Sequence, residues 1–206
     1  MPETSPSSAG DRRVFLKTFC AGSLLCLGCE RLQAATDGEP PPLDAFLADS
    51  GMSFKDVWAF AYTRGSIPLL KALGEKLGRD RLVEMLKEAS AKMATEEARK
   101  EAPAAPNNTL QAFLGEDFLK GESRFWSHVL SYTLPERTET AVEARVTRCL
   151  WAQTFRAAEA PDIGYATLCH TDFFSGPAFN PKIRMTRTKT LMQGDDHCNH
   201  RWVVEA

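Results

Sequence analysis

The period of the apolar pattern changes once along this chain, near residue 125, and that change limits the folds open to it. Before it the spacing is helical. Ser53 and Asp56 stand three apart as a capping-box-like pair, and Phe54, Val57, Trp58 and Tyr62 follow at helical intervals. A second helix is expected over 67–77, with Pro68 tolerated in its first turn. A third, opened by Asp80, places Leu82, Met85, Leu86, Ala89 and Met93 on one stripe. Its charged tail over 96–101 reads as a solvated face, and the Pro- and Asn-rich run over 103–108 ends it. Thr109 is placed to cap a short helix reaching Leu119.

After the change the spacing is that of strands. Over 125–134, Trp126, His128, Leu130, Tyr132 and Leu134 alternate with Ser127, Ser131 and Thr133. A second strand is expected over 140–148, then helices over 150–158 and 164–170. Ser175-Gly176-Pro177 and Asn180-Pro181 read as breaks. Ile183, Met185, Arg187, Lys189 and Leu191 would share a face of a third strand. After a turn at 193–196, Cys198, His200, Trp202 and Val204 would share a face of the last. The expected fold is therefore α+β: a helical N-terminal half followed by a small antiparallel sheet with one or two packed helices. Its 206 residues are 43% apolar, enough for one core, and a net charge of -2 gives no reason to expect a nucleic-acid partner. Trp126, Trp151 and Trp202 read as core, and His128 as a core histidine with satisfied hydrogen bonds.

The first 35 residues read as an address. Asp11-Arg12-Arg13-Val14-Phe15-Leu16-Lys17 resembles the twin-arginine export signal, with Asp11 where Ser or Thr is usual. The apolar stretch at 18–28 is short of the ~20 residues that a spanning helix needs. Leu27-Gly28-Cys29 resembles a lipoprotein box, which would leave Cys29 lipidated and the domain tethered to a membrane. Ordinary cleavage near Ala34-Ala35 is the alternative. This divides the chain into a signal at 1–35, a Pro-rich linker at 36–43 and a single domain at 44–206. The expected location is periplasmic or cell-envelope, reached in the folded state through the twin-arginine translocase.

Removal of the signal changes the cysteine arithmetic. Of six Cys and four His, the exported domain keeps Cys149, Cys169 and Cys198, with His170, His197 and His200 close by in sequence. Two segments carry this chemistry, 169–174 and 187–200. They, together with Arg148-Cys149, Cys169-x-x-Asp172, Phe179-x-Pro181 before a strand with Arg187, and Gly194-Asp195-x-x-Cys198, resemble the L-2-amino-thiazoline-4-carboxylic acid hydrolase family. The resemblance is closest over the C-terminal third and extends to the helical half only in layout. A similar Gly-Asp-x-x-Cys ending occurs in small-ligand-binding domains of the vinyl-reductase type.

What the resemblance implies is hydrolytic opening of the C–N bond of a small cyclic amidine, giving a carbamoyl-cysteine. Such a reaction needs a nucleophile, a base and a holder for the substrate carboxylate. Cys169 is the nucleophile candidate, with Asp172 three residues later on the same face and His200 reaching in from the last strand as base. Arg187, Asp195 and Cys198 are the substrate-binding candidates, Arg187 for a carboxylate. No cofactor is named by the sequence. An enzyme serving cysteine assimilation belongs in the cytoplasm, so the export signal sets this chain apart from that substrate.

Other readings of the same residues stand beside this one. Cys149 reads as core packing, Cys169 and Cys198 as a structural pair joined by a disulfide after export, and Arg187 as a partner of Asp172 or Asp195. The Gly194-Asp195 turn is accounted for by hairpin chemistry alone. His170, Asp172, Asp195, His197, Cys198 and His200 offer metal-ligand chemistry, although residues 197 and 200 leave opposite faces of a strand. The chain could then be a non-catalytic exported module that binds a small ligand or metal, or an accessory protein to an exported redox enzyme.

Overall fold

The computed structural model describes residues 50–123 and 125–205, so the expected signal and linker lie outside the described residues. The chain divides into two units, residues 1–57 and 58–206. In the first, Ser53 and Asp56 form the expected capping box at the start of α1 (Phe54–Trp58): Ser53 N–H donates to Asp56 Oδ2 at 2.9 Å and Asp56 N–H to Ser53 Oγ at 3.2 Å.

The second unit is α+β, with helices first and one sheet after. A π-helical stretch (Ala59–Ser66) runs into α2 (Ile67–Leu77), and Gly78, at φ 88°, turns the chain into α3 (Arg79–Glu101). Two short helices follow, α4 (Leu110–Leu114) and α5 (Glu116–Lys120). The single helix expected here is broken because Gly115 sits at φ 79°, while Thr109 caps α4 by accepting from Ala112 N–H. The buried seam of α3 runs by fours, through Leu82, Ser90 and Ala98, with Leu86 and Ala94 half-buried between them. Met85, Ala89 and Met93 of the expected stripe are exposed instead. Small residues on that seam bring another backbone close, and Ser90 Oγ donates to Ala166 O at 2.6 Å.

The sheet is four-stranded and antiparallel, in the order β1-β2-β4-β3, from β1 (Leu130–Arg137), β2 (Ala141–Cys149), β3 (Ile183–Thr186) and β4 (Cys198–Val204). The strand expected at 125–134 starts late. Its first part is a helical turn, α6 (Trp126–Val129), on which His128 is exposed rather than a core residue and Trp126 is 37% exposed. Between β2 and β3 lie α7 (Leu150–Ala157), α8 (Pro161–Gly164), a π-helical turn (Tyr165–Cys169) and α9 (Asp172–Phe179). The expected break at Ser175-Gly176-Pro177 is inside α9. Gly176 is there because Ile183 of β3 packs on it: a Cβ at 176 would lie 2.9 Å from Ile183 Cγ2.

Register places the site. Val142, Ala144 and Val146 pair with Trp202, His200 and Cys198, so these six side chains share the inner face of the sheet. At one end of that face Val142 and Trp202 join Phe179, Ile183 and Met185 in one core cluster. A second cluster, around Phe155, Ile163 and Met192, lies under α2 and α3. Gly164 is the tightest point of that cluster: an added Cβ would lie 2.7 Å from both Phe155 Cγ and Met192 Sδ. Gly164→Ala is expected to cost about 1–3 kcal/mol of stability through overpacking, measured as a lowered urea midpoint at unchanged m-value. An unchanged midpoint would mean that the cluster has slack.

Candidate active site

The end of the inner sheet face formed by Leu130, Val146, Cys149, Cys198 and His200, the π-helical turn and the C-terminal half of α3 enclose a cavity of about 540 Å³. All three cysteines of the domain line it, Cys149 from the end of β2, Cys169 from the π-helical turn and Cys198 from the start of β4. Asp172 and His200 line it as well. The structure thus brings Cys169, Asp172, Cys198 and His200 to one cavity. It does not place Arg187 or Asp195 on that wall.

Arg187 lies behind the wall, its side chain only 2% exposed. β3 ends at Thr186 instead of running through residues 187–191, because Asn199 Oδ1 accepts from the N–H groups of both Thr188 (3.0 Å) and Lys189 (2.7 Å). This side-chain capture replaces ladder bonds and turns Arg187 inward. Its guanidinium then makes three contacts: Nη1 donates to Asp172 Oδ2 and lies 3.0 Å from His200 Nε2, and Nη2 donates to Cys169 O at 2.8 Å. The rings of Phe173 and Tyr165 flank it at 5.0 and 5.5 Å. Burial by itself would ease the proton off Arg187, but the charge of Asp172 overrides it and holds the guanidinium above its ordinary value.

That contact set fixes the histidine. A guanidinium has only donors, so His200 Nε2 accepts and the ring proton sits on Nδ1. Nδ1 is buried and has no hydrogen-bond partner among the described residues. The imidazole stacks on Trp202 at 5.6 Å and stands opposite Ala144, the smallest side chain on the inner face of β2.

The thiols differ in their surroundings. Burial pushes the Cys169 thiol up to about 12, with Asp172 adding to the shift and Arg187 opposing it. Cys149 is also raised by burial, and its sulfur caps α7 by accepting from Ala152 N–H at 3.5 Å. It packs against the second core cluster, as its core-packing reading expects. Cys198 is buried and its sulfur accepts from Leu191 N–H at 3.3 Å. All three are free thiols, so Cys169 and Cys198 are not joined by a disulfide in this structure.

Asp195 turns back on its own loop. Its Oδ2 accepts from Thr190 N–H at 2.7 Å, and its N–H donates to Thr190 O at 3.2 Å. Gly194, at φ 107°, permits that reversal. The Gly194-Asp195-x-x-Cys198 motif therefore closes a loop whose backbone holds the Cys198 sulfur in place. His197 Nδ1 lies 3.0 Å from Asp196 Oδ2, away from the carboxylate that His200 faces, and Lys189 and His197 together hold Asp196 far below the usual carboxylate range. His170 sits among Tyr165, Phe173 and Phe174 rather than on the wall, and burial lowers it. Among the described residues, no three His, Cys, Asp or Glu side chains converge on a metal position.

Three features of the site went unread in the sequence. Tyr165 and Phe173 bracket the guanidinium, Phe125 and Trp126 edge the cavity, and Glu97 and Glu101 face it from α3. The last had a legible signal: Met93, Glu97 and Glu101 recur by fours, one face of a helix.

Fold and site together define a small α+β domain with a thiol-lined cavity backed by a buried arginine. The model of the L-2-amino-thiazoline-4-carboxylic acid hydrolase family matches residues 59–202, so the match takes in the helical half as well, and the chain belongs to this family. No curated protein matches it.

The buried ion pair carries a clear test. Asp172→Ala would leave the guanidinium without its counter-charge, and stability is expected to fall by about 3 kcal/mol in equilibrium denaturation. A loss below about 1 kcal/mol would mean that the Cys169 carbonyl and His200 compensate the charge by themselves.

Proposed function

We propose that this chain is an exported hydrolase that opens the C–N bond of a cyclic amidine, with Cys169 as nucleophile. The observation that carries the reading is the shared bracing of Cys169 and Asp172: one guanidinium holds the backbone of the first and the carboxylate of the second, on the wall of one cavity. Arg187 and His200 both lie against Asp172 Oδ2, which leaves Oδ1 to exchange protons with a bound ligand.

In the proposed reaction Asp172 takes the Cys169 proton as sulfur bonds to the amidine carbon. The ring C–N bond then breaks and the departing nitrogen takes that proton. Water adds to the enzyme-bound carbon and returns a proton to Asp172. Collapse to the carbonyl breaks the carbon–sulfur bond, and the thiolate is reprotonated. The net change is addition of one water. A thiol held near 12 is protonated at rest, and an amidinium placed against it favours the thiolate, so activation falls to the bound substrate. In this scheme His200, its Nε2 taken by Arg187 and its Nδ1 buried, is a positioning group and not the base. A second reading, a non-catalytic module that binds a small ligand, draws on the same protonated thiol.

The experiment is a panel of cyclic amidines and thiazolines incubated with purified protein, with products heavier by one water read by mass spectrometry. Turnover by the wild type and a loss of at least about a hundredfold in Cys169→Ser is the expected result. Full turnover in Cys169→Ser would remove the nucleophile. Binding without turnover across the panel would favour the ligand-binding module.

The export reading has its own test. Arg12→Lys with Arg13→Lys is expected to keep the protein in the cytoplasm, scored by cell fractionation, because the twin-arginine translocase reads the arginine pair. Unaltered fractionation would overturn it. Release from the envelope by Cys29→Ser would further assign the membrane tether to that residue.

A further inference from the structure

The cavity is built for a different ligand from the one in the family's description. A carboxylate-bearing amidine needs a cation within reach, and among the described residues no Lys or Arg lines the cavity. Arg187 is the nearest buried cation identified at the site. It is 2% exposed, and its donors are already directed to Asp172, His200 and Cys169 O. The charges that do face the cavity are acidic. Asp172 is balanced by Arg187, but Glu97 and Glu101, one turn apart on α3, make no ion pair among the described residues. A carboxylate entering past them meets like charge and, among the described residues, no counter-ion on the lining, whereas a cation is attracted.

The walls point the same way. Around the opening stand Phe125, Trp126 and Trp151, whose ring centres lie 5.2 to 6.2 Å apart in tilted and edge-to-face pairs. Phe125 is 50% exposed and Met93 68% exposed, and both line this one cavity. Aromatic faces beside carboxylates make a receptor for a cation carried on an apolar body. The volume, about 540 Å³, is that of a site for a drug-sized molecule, and a single five-membered ring would leave most of it unfilled.

We infer that the ligand of this cavity is a protonated amidine carried on an aromatic or branched apolar group and lacking a carboxylate. Its cation enters past Glu97, Glu101 and the tryptophan rings toward Cys169, and its apolar group replaces water against Phe113, Leu130, Val146 and Leu168. Turnover of that ligand rests on the hydrolase reading, whereas its binding does not.

The test uses the full chain and three probes: an aminothiazoline bearing a phenyl group, the aminothiazoline carboxylate, and the uncharged phenyl-substituted thiazolidinone. Binding is followed by calorimetry and by quenching of tryptophan fluorescence, and ring opening separately by mass spectrometry. The phenyl amidine is expected to bind at least about tenfold more tightly than either other probe. Its affinity is expected to fall severalfold in Glu97→Gln with Glu101→Gln, and with rising salt, while binding of the uncharged thiazolidinone stays unchanged. Both side chains are exposed as well as lining the cavity, so the variant tests recognition without disturbing the core. Carboxylate binding equal to or tighter than the phenyl amidine would overturn the inference, as would an affinity for the phenyl amidine that ignores both glutamates. Tight, glutamate-dependent binding with no ring opening would support the inference and count against the hydrolase reading. Ring opening of the carboxylate alone would do the reverse.

Discussion

A guanidinium buried behind the cavity wall is the constraint on which the rest of the site depends. Arg187 cannot lose its proton under ordinary conditions, so the fold must surround it with acceptors or expel it. It is surrounded by groups from three separate elements: Asp172 at the start of α9, the Cys169 carbonyl at the end of the π-helical turn and His200 on β4. Each of these is thereby located relative to the other two. The flat ring faces of Phe173 and Tyr165 complete the enclosure without offering further charge. The same contact that stabilises the cation sets the tautomer of His200 and takes one oxygen of Asp172. The reactive groups left for the cavity are what remains after Arg187 has been satisfied: one carboxylate oxygen and the thiols.

The architecture was legible in the sequence where periodicity is long and one face is buried. β2 and β4 fall within a residue of the alternation in 140–148 and 198–204, and α7 follows its helical pattern. Legibility failed where a tertiary contact overrides a local rule. Ser175-Gly176-Pro177 looks like a break, yet α9 passes through it because Ile183 needs the space that only glycine leaves. Residues 187–191 alternate like a strand, yet the Asn199 side chain takes the backbone donors that a strand would have used. That second failure matters most. On a strand Arg187 would have been a surface or cavity cation, available to a substrate carboxylate. Turned inward, it becomes a positioning group.

The cysteines show how far composition can go. Three thiols close in sequence to three histidines suggest a shared site, and the structure does gather Cys149, Cys169 and Cys198 on one cavity. Their individual parts depend on donors that the sequence does not reveal. Cys149 holds a helix N-terminus and Cys198 is held by the loop that Asp195 closes. Only Cys169 has its backbone carbonyl tied to the guanidinium, while its sulfur bears on the cavity without a hydrogen bond of its own among the described residues. The Gly-Asp-x-x-Cys ending is thus a loop-closing device in this chain, which explains how a similar ending can occur around different ligands.

Separation of the buried cation from the cavity has a chemical consequence. In low dielectric, a thiol beside a free arginine would be a resting thiolate. Here burial outweighs the opposing charge of Arg187, with Asp172 adding to the upward shift, and the thiol is held near 12. A thiol in that state resists oxidation, because the thiolate is the form that reacts with oxidants. The missing positive charge can then be supplied by a ligand. A protonated amidine drawn past Glu97 and Glu101 would bring its cation toward the sulfur, and nucleophile and electrophile would become competent together. A carboxylate on that ligand would oppose each of these steps, since it would repel both glutamates and cancel the charge that ionises the thiol. Buried arginine, acidic opening and protonated thiol therefore form one electrostatic arrangement, to which an entering cation would add the charge that favours a thiolate.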